Sequence, residues 1–297
     1  MFDGLSAFPL SPLDADGVDE AAYARLMARL VAARVDSIGA LGSTGSYAYL
    51  TREERRRVAA LAVGHADGIP VMVGIGATRT RDVLVHAEDA QTVGASAVLL
   101  APVSYQNLTD EEVFGLFETV TRHLSVPLCV YDNPGTTRFV FSDELHARIA
   151  RLPHVRSIKI PGVPSDPVAA NQRVEDLRRR IPAEVTLGIS GDACAARGML
   201  AGCRAWYSVI GGLFPRIALA ITRAAQSGDA AEAMRLSDRL APLWSLFDKA
   251  GGSLRVVAAA AETLGLVRAP CLPAPLRAIQ GDLRDELATV LDTLELD

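Results

Sequence analysis

Short apolar, β-branched runs alternate along this chain with longer stretches in which apolar positions recur every three or four residues. The runs fall near residues 5–10, 37–42, 69–76, 96–102, 127–132, 155–161, 185–190 and 205–210, and their length and composition predict strands. Helical periodicity fills the intervals, near 20–34, 51–65, 79–93, 109–123, 142–151, 165–180 and 192–201. Thr109–Asp110 and Ser142–Asp143 stand where a side-chain oxygen would cap a helix start. Strand runs return about every 30 residues, the length of one βα unit. Eight strands with parallel-type crossovers predict a (β/α)8 TIM barrel. A doubly wound open sheet is the competing architecture; it usually needs fewer strands, and no GxGxxG follows the first run.

The pattern changes after Gly211–Gly212. From Phe214 to Leu296 only helical periodicity remains, including Asp229–Ala250 and Pro275–Leu294, interrupted by the segment Pro270–Pro275. The expected organisation is therefore a barrel over 1–213 that carries the active site and a C-terminal helical bundle over 214–297. The apolar faces of that bundle must pack on the barrel, on each other or on another subunit.

Composition narrows the partners. With 49% hydrophobic and 22% charged residues and a net charge of −5, the profile is soluble and globular, and neither nucleic acid nor an anionic membrane is an expected partner. The basic run Arg52–Arg57 is diluted by Glu53 and Glu54, and Arg178–Arg180 suits the last turn of a helix. Cys129, Cys194, Cys203 and Cys271 lack CxxC spacing, so neither a disulfide framework nor a zinc site is expected. The histidines (His65, His86, His123, His146, His154) form no HxxxH pair and lie away from the predicted strand ends, which leaves no metal site or triad to build. No signal-like start and no apolar run near ~18 residues is present, so the expected location is cytoplasmic.

One charge changes the picture. The chain has two lysines, Lys159 and Lys249, among 30 lysines and arginines, yet Lys159 sits inside the apolar run VRSIKIPG. Burying an ammonium is costly and loss of its proton is the usual relief, which makes a nucleophile. The bland account is a buried ion-paired lysine or one snorkelling to the rim, but Ser157, Ile158, Ile160 and Pro161 supply no acid. Tyr131 occupies the fifth position of the preceding run, as Lys159 does of its own, so adjacent strands would present a lysine and a phenol at one height. Alone, Tyr131 reads as a core aromatic; beside the lysine it becomes a proton shuttle. Period-two alternation sets Ser157 with Lys159 and Cys129 with Tyr131, and these small side chains would leave room for a ligand beneath.

After the second run, Gly42-Ser43-Thr44-Gly45 can turn tightly and expose N–H groups beside two hydroxyls, which suits a carboxylate, although an ordinary βα turn reads the same way. Gly188–Asp192 (GISGD) and Gly211–Gly212 follow the last two runs, where barrels often bind phosphate; turn glycines are the simpler reading.

Together these segments resemble the dihydrodipicolinate synthase / N-acetylneuraminate lyase family of class I pyruvate-dependent aldolases. The resemblance rests on the GxTG-type loop Gly42–Gly45, the strand Tyr131-Asp132-Asn133-Pro134, the Lys159 strand IKIPG and the segment SGDACAARGMLAGCRAWYSVIGG. It implies that Lys159 forms a Schiff base with pyruvate or another 2-oxo acid. Tyr131 would relay protons through Ser43 or Thr44, whose N–H groups would hold the substrate carboxylate. Gly42 and Tyr105 are also expected at the substrate, and Tyr207 would border the pyruvate where the family often has an aliphatic residue. The resemblance also implies a homotetramer and no metal, nicotinamide or flavin.

Three departures bear on the second substrate. The family's glutamate after the GxTG loop is Ser46 here, and the arginine five residues after the strand tyrosine is Thr136, with Arg138 two residues on. The family's inter-subunit tyrosine falls in APVSYQN, where Tyr105 is one residue out of register. The imine-forming core is kept and the aldehyde end altered, so a catabolic aldolase or lyase is expected rather than a lysine-biosynthesis synthase. A 2-keto-3-deoxy sugar acid dehydratase using the same imine, or a non-catalytic paralogue that binds a 2-oxo acid, are the alternatives. A phosphate-dependent barrel enzyme rests only on the glycines after the last two strands.

Overall fold

The computed structural model describes residues 1–14 and 17–296. Eight parallel strands close into a barrel: β1 (Gly4–Ala7), β2 (Ser37–Ala40), β3 (Val71–Gly74), β4 (Ala97–Leu100), β5 (Leu128–Tyr131), β6 (Val155–Ile160), β7 (Thr186–Ile189) and β8 (Ala205–Ser208). Each strand pairs with its sequence neighbours, and β8 returns to β1 in register, Gly4 opposite Ala205 and Ala7 opposite Ser208. The fold is the (β/α)8 barrel that the alternating pattern predicts.

Seven helices follow the first seven strands: α1 (Glu20–Ala33), α2 (Arg52–His65), α3 (Thr80–Thr92), α4 (Asp110–Thr121), α5 (Asp143–Ala150), α6 (Pro167–Arg180) and α7 (Ala195–Leu200). Local chemistry sets their starts. Thr51 with Glu54 and Thr109 with Glu112 form reciprocal capping boxes that satisfy backbone donors at the first turns of α2 and α4. Ser142 caps α5 and Asp166 caps α6, where Pro167 follows at a position that needs no N–H. Helix α8 (Pro215–Gln226) packs against β1, α1 and α7 and so closes the ring.

Alternation along the strands separates two cores. Leu5, Ile38, Val73, Val98, Val130, Ile158 and Leu187 face the helices in one large buried cluster. Met72, Ala97, Leu99, Cys129, Tyr131, Ala205 and Tyr207 face inward with Phe8 and form the second. The parity expected of Tyr131 and Cys129 is therefore the inward one.

The C-terminal region departs from the predicted helices in two places. Asp229–Ala250 is two helices, α9 (Ala230–Arg239) and α10 (Ala241–Lys249), because Pro242 has no N–H to carry a continuous helix through Leu240. Pro275–Leu294 is helical only as α12 (Asp282–Leu294). The residues before it spend their backbone groups on α11 (Ser253–Thr263): Ile279 N–H donates to the Arg255 carbonyl, and the Arg255 guanidinium donates to the Arg277 carbonyl. Gly281, with φ of 56°, sets the chain into α12. Helix α10 packs on α11, α12 and the 192–194 turn after β7, which places the bundle beside the strands' C-terminal ends. A small antiparallel strand pair, Leu13–Asp14 with Gly17–Val18, is not apparent from periodicity, since two-residue strands carry none.

Candidate active site

Register brings the two predicted groups face to face. Strands β5 and β6 pair with Tyr131 opposite Lys159 and Cys129 opposite Ser157. Both side chains are almost wholly enclosed, Lys159 at 3% exposure and Tyr131 at 6%. The lysine Nζ lies over aromatic faces, 4.1 Å from the ring centroid of Phe8, 4.1 Å from that of Tyr131 and 5.6 Å from that of Tyr207.

The phenol of Tyr131 is held from two sides. Ser43 Oγ lies 3.4 Å from its oxygen, and Asn133 Nδ2 donates to it at 2.8 Å. The same amide nitrogen donates to Thr136 Oγ1 at 2.9 Å, so Asn133 ties the phenol to the loop where the resemblance places the substrate's far end. The Gly42–Gly45 loop sits beside this pair because Leu41 turns the chain with φ of 57° directly after β2. Among the described residues, the N–H groups of Ser43 and Thr44 have no acceptor within the chain, which leaves both donors for a carboxylate. Ser46, at the family's glutamate position, is buried in a left-handed conformation.

The space beneath Lys159 is not left for a ligand. Tyr207 fills it: its ring is 1% exposed, its hydroxyl lies 2.5 Å from Ser157 Oγ, and Cys129 Sγ donates to the same oxygen at 3.5 Å. The small residues predicted to open a cavity instead admit the tyrosine of β8. Burial pushes the Cys129 thiol up to about 11 and the Tyr207 phenol well above its usual range, so both are neutral packing groups at physiological pH.

The candidate phosphate loop is also occupied from within. Asp192 is 7% exposed, and its carboxylate accepts from Trp206 Nε1 (2.9 Å), Ser208 Oγ (3.2 Å), Val209 N–H (3.2 Å) and Ile210 N–H (2.9 Å). Burial raises this carboxyl to about 6 against the pull of those donors. The donors that an external phosphate would need after β8 already hold an internal anion.

The remaining predicted residues scatter. Tyr105 stands in solvent at 94% exposure and does not reach the site within this chain. Arg138 is exposed, with φ of 59°, and its backbone N–H closes the short turn Pro134–Thr137 on the Pro134 carbonyl. Thr136 is exposed next to the site.

Three arrangements around the site are not legible in the sequence. Phe8 follows a strand whose own pattern marks nothing special; the available signal was glycine in and just after β2, since a Cβ at Gly39 or Gly42 would lie 2.3 or 2.5 Å from its ring. The Asn133–Tyr131 bond needs the chain to turn back at Pro134. His146 was placed away from strand ends, yet α5 lays its Nε2 3.4 Å from the Asp132 carboxylate at the end of β5. His146 is wholly buried and stacks on Phe141 at 4.9 Å. Burial pushes Asp132 up to about 7 and His146 down to about 4, so between those two values the pair is a neutral acid beside a neutral imidazole.

A profile of the dihydrodipicolinate synthetase family matches residues 1–294. The chain is 33% identical over 245 residues to the 4-hydroxy-tetrahydrodipicolinate synthase of Phenylobacterium zucineum, covering 82% of this chain and 81% of that one. It is 30% identical over 278 residues to the enzyme of the same name from Nitrobacter hamburgensis, covering 92% and 91%. A crystal structure described as dihydrodipicolinate synthase from Agrobacterium tumefaciens superposes with a TM-score of 0.94 at 46% identity, over 99% of this chain and 98% of the other.

Proposed function

The chain belongs to the dihydrodipicolinate synthetase family and is a lyase-type enzyme; from that premise we propose that it is a Schiff-base aldolase acting on pyruvate or a related 2-oxo acid. The observation that carries the reading is the enclosed Lys159 amine opposite Tyr131, whose phenol is bonded to Asn133 and adjoins Ser43. In this reading the Lys159 amine adds to the C2 ketone, water leaves, and the nitrogen becomes a protonated imine. The C3–H electron pair then flows into that nitrogen to give an enamine, and the released proton passes through Tyr131 and Ser43. The enamine carbon attacks an aldehyde, the Tyr131 phenol protonates the new alkoxide, and water frees the product from the lysine. Cleavage is the same sequence in reverse. Donors on Ser43 and Thr44 hold the 2-oxo acid carboxylate throughout.

In this reading the far end of the substrate meets Asn133 and Thr136, which are bonded to each other, where the family has an arginine. That surface favours a neutral, hydroxylated acceptor over one bearing a second carboxylate, which supports a role outside lysine biosynthesis. A homo-oligomer and no added cofactor complete the proposal.

Intact-protein mass spectrometry after incubation with pyruvate and borohydride tests it. A reduced pyruvyl adduct mapping to Lys159, absent from Lys159→Arg, is expected. No adduct with pyruvate or longer 2-oxo acids would leave Lys159 a structural lysine and the protein a non-catalytic binder. Screening aldehydes against 2-keto-3-deoxy sugar acids then separates aldol chemistry from dehydration.

A further inference from the structure

The lysine's surroundings pose a problem that the proposed reaction does not by itself solve. A protonated imine works as an electron sink only while its nitrogen stays positive. Here that nitrogen lies in an enclosed site with three aromatic rings around it. The substrate carboxylate, held by Ser43 and Thr44, offsets part of that charge, but a cation walled by apolar rings is still unfavourable unless they compensate it. The face of an aromatic ring does so through its quadrupole, most strongly when water is excluded.

Phe8 is built into the barrel for this position. It directly follows β1, its N–H donates to the Ser208 carbonyl at 2.9 Å, and its ring is 1% exposed. Glycine at 39 and at 42 gives the ring its place, since a Cβ at either would come within 2.3 to 2.5 Å of it. Tyr207 is seated in the same way over Gly188, where a Cβ would lie 2.3 Å from its Cε2. The two rings meet edge to face, with centroids 6.2 Å apart and planes at 85°. The Tyr207 hydroxyl is turned down to Ser157. Two strand positions, 39 and 188, and one loop position, 42, are thus kept side-chain-free so that two rings can converge on one nitrogen.

We propose that Phe8, seconded by Tyr207, is a catalytic residue whose ring face stabilises the positive charge on the Lys159 nitrogen in the protonated imine. This rests on the Schiff-base reading above. Tyr131 contributes a third face, but its hydroxyl also handles protons, so Phe8 is the position where the electrostatic role can be isolated. The interaction acts on the charged intermediate and on the transition states that lead to and from it.

The test replaces Phe8 by a graded series of ring-fluorinated phenylalanines in the full-length protein, with Phe8→Leu alongside. Fluorination withdraws charge from the ring face with little change of shape, so packing is kept while the quadrupole weakens and finally inverts. The readout is the pyruvate concentration that gives half-maximal borohydride trapping on Lys159. That concentration is expected to rise stepwise with fluorine count, reaching about 5- to 30-fold in the most substituted ring, the range a desolvated cation–π contact supports. Phe8→Leu should show a similar rise. Half-maximal trapping that stays constant across the fluorinated series overturns the proposal, and a loss confined to Phe8→Leu shows packing alone and overturns it too. Absence of any adduct in the unsubstituted protein overturns the Schiff-base reading and this one with it. An adduct that forms normally but ignores fluorination overturns only this one.

Discussion

Asn133→Leu separates proton handling at Tyr131 from substrate binding. The amide and the isobutyl group have nearly the same shape, so packing is kept while two donated hydrogen bonds are lost, one to Tyr131 Oη at 2.8 Å and one to Thr136 Oγ1 at 2.9 Å. The second loss is minor, because Thr136 is exposed and water replaces the amide. The first is not, because Tyr131 is 6% exposed and only the 3.4 Å contact with Ser43 remains. A hydrogen bond to an oxygen that takes on charge is worth about 1.5–3 kcal/mol, or roughly 10- to 150-fold in rate. The assay needs no knowledge of the second substrate: exchange of the pyruvate methyl hydrogens with deuterated water, followed by NMR, reports enamine formation alone. The exchange rate at saturating pyruvate should fall by that factor, while half-maximal pyruvate changes less than about threefold, since the Ser43–Thr44 donors are untouched. Thr136→Val, which breaks only the outer bond, should exchange near the normal rate. An Asn133→Leu protein that exchanges at the normal rate, or whose loss lies wholly in pyruvate binding, would refute the assignment.

Two further outcomes follow from buried groups beside the site. The Asp132–His146 pair holds one proton when folded, on the acid, and one when unfolded between about pH 4 and 6.5, on the imidazole, so it contributes no pH slope in that window. Asp132→Asn leaves only His146, whose folded value near 4 lies below the unfolded value of 6.5; its contribution is present above pH 6.5 and lost as pH falls toward 4. Urea melts of that variant should lose on the order of 2 kcal/mol between pH 6.5 and 5 relative to the wild type, and parallel curves would contradict the neutral pair. Gly188→Ala puts a methyl 2.3 Å from the Tyr207 ring and should cost about 1–3 kcal/mol by denaturant melts, with most of that recovered when Tyr207→Leu is added. Equal damage with and without the tyrosine ring would mean that the backbone, not the ring, fills the space.

What could be read along the chain was whatever neighbours in sequence decide. Strand and helix periodicity, capping residues and the repeat of βα units depend on a few adjacent positions, and they specified the barrel and the helices around it. The Lys159–Tyr131 pair was legible for the same reason: consecutive parallel strands lie side by side, so equal places in two runs become partners across the sheet. The segment 275–281 misread as helix because its own periodicity is helical, while its hydrogen-bond partners sit on Arg255, twenty-odd positions earlier. Phe8 over Lys159, Tyr207 beneath it, Asp192 bonded to the last loop and His146 against Asp132 all join residues that no local pattern links. Closing the barrel brings first and last strands together and chooses which side chains fill its centre. That choice depends on volume summed over several strands at once, with glycine in one strand admitting a ring from another, and only the folded structure carries it.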